Sequence, residues 1–134
     1  MELDPATFIL DTSAYSAFNR GDQRLRPWFV SEHTIKVPLI VIGELRAGFA
    51  AGSRTAENEQ LLERFLDSAN VELLSLTLET TKRFTELFKQ IRTNRTAIST
   101  NDLWIASLAL EHDIPILTLD NDFQRIKRIR VIKL

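Results

Sequence analysis

Residues 7–13 have the sequence TFILDTS, in which four β-branched or apolar residues are followed by three polar ones. β-branched and aromatic residues favour strands, and a polar cluster marks the point where a strand ends. A second run of this kind lies near the other end of the chain, PILTLDND at residues 115–122. Each run predicts a buried strand that ends at an acidic residue, Asp11 in the first and Asp120 in the second.

Helical and strand patterns alternate between these two runs. Apolar residues at three- to four-residue spacing predict helices over residues 14–20, 22–32, 39–51 and 56–69, a longer helix around the apolar stripe at 84–91, and another that begins at 100–102. Further strands are predicted over residues 35–37 and 71–76, with a final strand or tail over 129–134. Such alternation favours βαβ units. We therefore expect a three-layer α/β/α fold, with a mainly parallel central sheet flanked by helices.

Composition limits the classes of protein that this chain can be. Its 134 residues suit one globular domain, which we expect to span residues 1–134. The absence of cysteine excludes disulfides, thiolate zinc sites and cysteine nucleophiles, and fits a cytoplasmic protein. No stretch approaches the roughly 18 apolar residues that a membrane span needs, so we expect no membrane partner. The net charge of −1 neither predicts nor excludes binding to nucleic acid.

Four acidic residues stand where chemistry is expected in an α/β fold. Asp11 and Asp120 each follow a predicted strand, and functional groups collect at the carboxyl ends of parallel strands. Asp102 lies in the first turn of a predicted helix, where the helix dipole favours an ionised carboxylate. Glu44 interrupts an apolar helix, so it either faces water or has a partner. Each of these acids could alone be a turn or cap residue, and the pattern by itself leaves the function open.

Four sequence blocks, in order, resemble the signature blocks of PIN-domain ribonucleases, and most of all the VapC-type toxins of bacterial and archaeal toxin-antitoxin pairs. The blocks are FILDTS at residues 8–13, VIGELRAG at 41–48, NDLWIA at 101–106 and LTLDNDF at 117–123. The resemblance runs from about Phe8 to the C-terminus. It implies one PIN-like domain that hydrolyses RNA phosphodiester bonds as an endoribonuclease and leaves a 5′-phosphate and a 3′-hydroxyl.

The resemblance also implies roles for particular residues. Asp11, Glu44, Asp102 and Asp120 would hold a divalent metal, with Asp11 and Asp102 as its principal ligands. Two more site residues are implied, Asp122 as a second acid and Thr118 as a supporting hydroxyl. Because Asp120 stands where many relatives carry Asn, the division of labour between Asp120 and Asp122 stays open.

Carboxylates gathered in one pocket call for a cation. They repel one another, so without a cation some of them must take up protons. An all-oxygen ligand set favours Mg²⁺ or Mn²⁺ over zinc, and such an ion would polarise the scissile phosphate and activate a water. Spacing in the sequence does not distinguish one metal from two.

An acidic pocket cannot attract RNA, so basic residues at its rim must bind the phosphates. The candidates are Arg20, Arg24, Arg26, Arg46, Arg125, Lys127, Arg128, Arg130 and Lys133. By resemblance, the other partners are a small cognate antitoxin, in a hetero-oligomer, and a second copy in a homodimer. We expect the antitoxin to dock on an apolar surface around Tyr15, Phe18, Trp28 and Phe49.

Two other functions fit parts of this pattern. A catalytically inactive PIN-fold binding module would keep the fold without the activity, although all four acidic positions retain carboxylates. A phosphatase or receiver-like domain would use Asp11 as a phosphoryl acceptor. Against it, no second Asp stands two residues after Asp11.

Overall fold

A computed structural model describes residues 6–134 and contains one five-stranded sheet. The strands are β1 (Thr7–Leu10), β2 (Thr34–Pro38), β3 (Val71–Leu74), β4 (Ile116–Thr118) and β5 (Val131–Lys133). Their order across the sheet is β3-β2-β1-β4-β5, and every neighbouring pair is parallel. The predicted α/β/α fold with a mainly parallel sheet is thus confirmed.

The centre of the sheet brings the two acid-terminated strands side by side. Strand β1 pairs with β4 in a register that sets Ile9 beside Ile116 and Leu10 beside Leu117. Leu10 and the two residues before it in β1, Phe8 and Ile9, have no exposed surface, as expected for a parallel sheet covered on both faces. Because the two strands end within one residue of each other, Asp11 and the residues after Leu117 meet at the carboxyl edge of the sheet.

In the described part of the chain five α-helices flank the sheet: α1 (Thr12–Asn19), α2 (Leu39–Ala51), α3 (Thr55–Leu66), α4 (Leu78–Thr93) and α5 (Thr100–His112). Helix α2 follows β2 directly through Pro38, whose fixed φ suits the entry to a helix. Helix α4 begins with a capping box between Thr77 and Thr80. None of the helices in the described residues is both long and apolar enough to cross a membrane.

The helix predicted over residues 22–32 is wrong. The chain forms a 3₁₀ turn there, Gln23–Trp28, with Pro27 inside it. Proline lacks the backbone N–H that an α-helix needs and clashes with the preceding turn. Asp22 caps the turn by accepting a hydrogen bond from the backbone N–H of Arg24 at 3.0 Å. The smaller differences are at element ends, such as α3, which ends at Leu66 rather than at residue 69.

The apolar docking surface predicted around Tyr15 and Trp28 is also wrong in part. Tyr15 is 2% exposed and Trp28 is 8% exposed, so both belong to the core. Trp28 packs edge-on against Phe8 of β1, with ring centroids 5.8 Å apart. Aromatic rings of this size gain more by full burial than by a surface position.

Candidate metal centre

Asp11 is the most deeply buried acid at the carboxyl edge of the sheet. It directly follows β1, is the N-cap residue of α1, and is only 4% exposed. Its Oδ2 accepts hydrogen bonds from Ser13 Oγ at 2.8 Å and from Thr118 Oγ1 at 2.7 Å. Two hydroxyls therefore hold one carboxylate oxygen in place.

The backbone of the loop after β4 fixes the direction of these hydroxyls. Ser13 Oγ accepts the N–H of Leu119 at 3.0 Å, and Thr118 Oγ1 accepts the N–H of Asp120 at 2.9 Å. Each hydroxyl carries one proton, and with a backbone N–H already donating to its oxygen, that proton points to Asp11. The 3.1 Å approach between the two hydroxyls follows from their shared acceptor.

The pKa of Asp11 is raised above 3.8, chiefly because burial disfavours its charge. Hydrogen bonds from Thr118, Ser13 and the backbone N–H of Thr12 act in the opposite direction, and the charge of Glu44 raises the pKa further. Asp11 is thus a buried carboxylate that neutral donors alone do not fully compensate.

Asp102 reaches the same region from the first turn of α5. Ser99 caps this helix by accepting the N–H of Asp102 on its Oγ at 3.1 Å. Burial raises the pKa of Asp102 to about 6, and the charges of Asp11, Asp120 and Glu44 add to the effect. The carboxyls from four different segments therefore repel one another, which is the condition that a divalent cation relieves.

Three of the acids form a close group. One carboxylate oxygen each from Asp102, Asp120 and Asp122 lies within 4.8 Å of the other two. Asp120 Oδ1 also accepts the N–H of Asp122 at 3.0 Å, which fixes the turn between them. Ligand atoms on opposite sides of one Mg²⁺ stand about 4 Å apart, so the three oxygens lie near the spacing that one divalent ion with oxygen ligands requires.

Glu44 has the partners that its place in an apolar helix requires. Its Oε1 accepts a hydrogen bond from Thr12 Oγ1 at 2.9 Å, and its Oε2 accepts one from Asn101 Nδ2 at 3.3 Å. These bonds join α2 to the starts of α1 and α5. Glu44 therefore faces the other acids rather than the core.

We call Asp11, Glu44, Asp102, Asp120 and Asp122 the acidic pocket. The structure brings all five predicted acids and Thr118 to one edge of the sheet. Their assignment as metal ligands stays a prediction. The close group contains Asp122, whereas the sequence favoured Asp11 as a principal ligand.

Three supporting side chains were not predicted from the sequence: Thr12, Ser13 and Asn101. Each stands next to an acid of the pocket or two residues from it, and each donates a hydrogen bond to a pocket carboxylate. The hydroxyls and the amide that flank Asp11 and Asp102 in the sequence are the signal that could have identified them.

Most of the predicted rim arginines pair with acids elsewhere. Arg46 contacts Glu59 of α3 at 3.2 Å, and Arg128 contacts Glu86 of α4 at 3.4 Å. Arg24 and Arg130 likewise pair locally, with Asp22 and Asp113. Arg125 differs from these because its guanidinium pairs with Asp122 of the acidic pocket.

Five parallel strands with acids gathered at their carboxyl edge define an α/β domain with an acidic site. Residues 8–129 match the PIN domain, and the chain belongs to this family. The resemblance of the four sequence blocks is thereby confirmed.

Individual relatives cover most of the chain. It is 29% identical over 126 residues to Ribonuclease VapC5 of Mycobacterium tuberculosis, and the aligned residues cover 92% of this chain and 90% of that protein. It is 31% identical to Ribonuclease VapC4 of the same organism, over 72% of this chain and 74% of that one. The fold also matches that of VapBC2 from Rickettsia felis bound to a DNA fragment from its promoter. The TM-score is 0.85 at 23% identity, with 96% of this chain and 98% of that chain covered.

Proposed function

We propose that this PIN-domain protein is a Mg²⁺- or Mn²⁺-dependent endoribonuclease that acts as the toxin of a toxin-antitoxin pair. The observation that carries the proposal is the close group of Asp102, Asp120 and Asp122 beside the buried Asp11. Relatives that are named as VapC ribonucleases and cover up to 92% of the chain support the same activity.

The metal would be held by Asp102 and Asp120 together with Asp122 or Asp11. A divalent ion at this place supplies charge that polarises the scissile phosphate and lowers the pKa of a bound water. Asp11 keeps one oxygen toward its two hydroxyl donors, which leaves Oδ1 for the pocket. Thr118 and Ser13 act through Asp11, because they fix the orientation of its carboxylate.

Glu44 is placed to receive a proton. Within residues 6–134 each of its oxygens accepts one hydrogen bond, so a lone pair on each stays available for a water. In the proposed reaction Glu44 takes a proton from the attacking water, whose oxygen forms the new bond to phosphorus. The bond between phosphorus and the 3′-oxygen breaks, the leaving 3′-oxygen takes a proton from a solvent water, and Glu44 returns its proton to solvent, so the products carry a 5′-phosphate and a 3′-hydroxyl.

The partner proposal rests on a groove beside α1 and α3. Phe18 and Phe29 stack here with ring centroids 3.9 Å apart, and Phe65 lies next to Phe29. Leu61, 45% exposed, lines both this part of the groove and its continuation toward Phe49. We propose that an apolar helix of the cognate antitoxin docks along this groove. The hetero-oligomer would contain a homodimer of the toxin and would form in the cytoplasm. VapBC complexes among the solved structures of this fold support the antitoxin partner.

A phosphatase or receiver-like role for Asp11 has no such support. A phosphoryl acceptor must be open to its donor, whereas Asp11 is 4% exposed and bound by two hydroxyls. An experiment distinguishes the nuclease from a catalytically inactive PIN-fold binding module.

Purified protein is incubated with single-stranded and structured RNA in Mn²⁺, in Mg²⁺ and in EDTA, and the product ends are mapped. The proposal predicts cleavage with either metal, none in EDTA, and ends that ligase accepts because they carry a 5′-phosphate. RNA left intact under all conditions, with no Mn²⁺ bound in calorimetry, would instead identify an inactive binding module.

A further inference from the structure

Arg125 is set apart from the other basic residues by its place in the structure. Within residues 6–134 it is the only basic side chain that forms an ion pair with a member of the acidic pocket. It pairs with Asp122, three residues earlier on the same 3₁₀ turn, Asp122–Arg125. One positive charge therefore lies on the Asp122 side of the acidic pocket.

Two buried apolar residues anchor the turn that carries Arg125 to the core. Phe123 has no exposed surface and Ile126 is 3% exposed. The N–H of Ile126 donates to the carbonyl of Phe123 at 3.1 Å, which closes the turn. The backbone at Arg125 thus has a defined position relative to the acids, while its side chain stays free to change partner.

The Arg125 guanidinium is only partly used in its present pair. The contact to Asp122 involves one terminal nitrogen and one carboxylate oxygen, whereas a guanidinium has five N–H donors in a planar fork. The side chains of Arg125 and Asp122 are 48% and 38% exposed, and exposed ion pairs of this kind are weak. A phosphate, which a guanidinium can bind through two parallel hydrogen bonds, is the stronger partner.

We propose that Arg125 is the phosphate-binding residue of the acidic pocket. In the RNA-free chain it is held by Asp122, and in the RNA complex its guanidinium binds a backbone phosphate at the scissile bond. Release from Arg125 leaves both oxygens of Asp122 to the metal, so substrate binding and metal binding favour each other. This inference rests on the proposed ribonuclease function.

The test compares Arg125→Ala and Arg125→Lys with Arg128→Ala. Arg128 is a matched control, because its pair with Glu86 has similar exposure, 54% and 38%, and lies outside the acidic pocket. Binding of a fluorescein-labelled single-stranded RNA is measured by anisotropy with Mn²⁺ present and at several salt concentrations. The variants are made in an Asp102→Asn background, in which the RNA should stay intact. Mn²⁺ binding is measured by calorimetry on the same variants with Asp102 restored.

Arg125→Ala is expected to weaken RNA binding about tenfold or more, the usual effect of losing a charge-assisted hydrogen bond. The slope of log affinity against log salt should become shallower by about 0.7, the value for one phosphate contact on a single strand. Arg125→Lys should keep the slope and recover part of the affinity. Arg128→Ala should bind RNA within about twofold of its parent. Mn²⁺ affinity should be unchanged or higher in Arg125→Ala.

Two results would overturn the inference. Unchanged RNA affinity in Arg125→Ala would overturn it whatever the Mn²⁺ affinity, and a higher Mn²⁺ affinity would then make Arg125 only a counter-ion of the metal-free pocket. Reduced Mn²⁺ affinity together with a lower Tm would make it only a support of the Asp122 turn. In both cases a chain with Arg125 and Asp102 intact that still cleaves RNA leaves the ribonuclease function standing. If that chain neither binds Mn²⁺ nor cleaves RNA, the proposed function fails and this inference fails with it.

Discussion

Replacing Asp102 with Asn should make the metal-free protein more stable. Burial and three neighbouring carboxylates raise the pKa of Asp102 from 3.8 to about 6, so its ionised form is disfavoured in the folded state. Asn has a similar shape and carries no charge. Its backbone N–H still donates to Ser99, because that bond does not involve the side chain.

The magnitude follows from the difference between the folded and unfolded pKa. A pKa that rises from 3.8 to about 6, at about 1.4 kcal/mol per pH unit, corresponds to at most about 3 kcal/mol. Asp102 is only partly buried, and solvent screening reduces the expected gain in the free energy of unfolding to about 1 to 2 kcal/mol. For a domain of this size that is a rise in Tm of roughly 3 to 8 °C.

The pH dependence has a definite sign. Because the folded-state pKa lies above the unfolded one, the folded wild type binds the proton more tightly and gains stability as the pH falls. The advantage of Asp102→Asn should therefore be complete above about pH 7, shrink through pH 6, and disappear near pH 4. Saturating Mn²⁺ should reverse the order, because a ligand at 100 times its Kd stabilises the wild type by about 2.7 kcal/mol.

Thermal unfolding in EDTA and in Mn²⁺, at several pH values, measures these effects. Glu63→Gln is the matched control, since it removes one negative charge from an exposed position on α3. If Asp102→Asn melts at or below the wild-type temperature in EDTA near pH 8, Asp102 does not lie among repelling carboxylates and the reasoning is refuted.

Three further predictions follow from the same geometry. Thr118→Val should lower the free energy of unfolding by about 1.5 to 3 kcal/mol and weaken Mn²⁺ binding. Thr118→Ser, which keeps the hydroxyl, should bind Mn²⁺ nearly as well as the wild type. Melting curves and calorimetry that show no difference between Thr118→Val and the wild type would mean that the hydroxyl is irrelevant. Mn²⁺ affinity of the wild type should fall about tenfold per pH unit below about 6, because a proton competes for Asp102; calorimetry showing a flat profile from pH 7 to about 5 would contradict this. Arg46→Ala should leave RNA cleavage within about twofold, because Arg46 pairs with Glu59 at the surface; a large loss of cleavage rate would return Arg46 to the list of RNA contacts.

The sequence predicted the parts of the fold that depend on local pattern. Strand β1 begins and ends at the predicted residues, and α2 spans the predicted 39–51, because its apolar spacing and the preceding proline indicate the same helix. The prediction of a helix over residues 22–32 was wrong because one proline favours a 3₁₀ turn over a longer α-helix. Local pattern also could not show that Tyr15 and Trp28 are buried, since that depends on which elements pack against them.

The candidate site was predicted as a set of residues but not as a geometry. The position of Asp11 and Asp120 after neighbouring parallel strands was enough to place them at one edge. The donors that orient the acids come from positions far apart in the chain, such as Thr118, which is 107 residues from Asp11. The grouping of Asp122 with Asp102 and Asp120 likewise depends on how the turn after β4 meets the start of α5.

Single-turnover cleavage of RNA in saturating Mn²⁺ is the most direct test of the acidic pocket as a metal-dependent nuclease site. It compares the wild type, Asp102→Asn and the control Glu63→Gln at equal protein concentration. Glu63→Gln should cleave at the wild-type rate, Asp102→Asn should be slower by a factor on the order of 100 or more, and EDTA should stop all cleavage. Equal cleavage by the wild type and Asp102→Asn, or cleavage that persists in EDTA, would contradict this assignment of the acidic pocket.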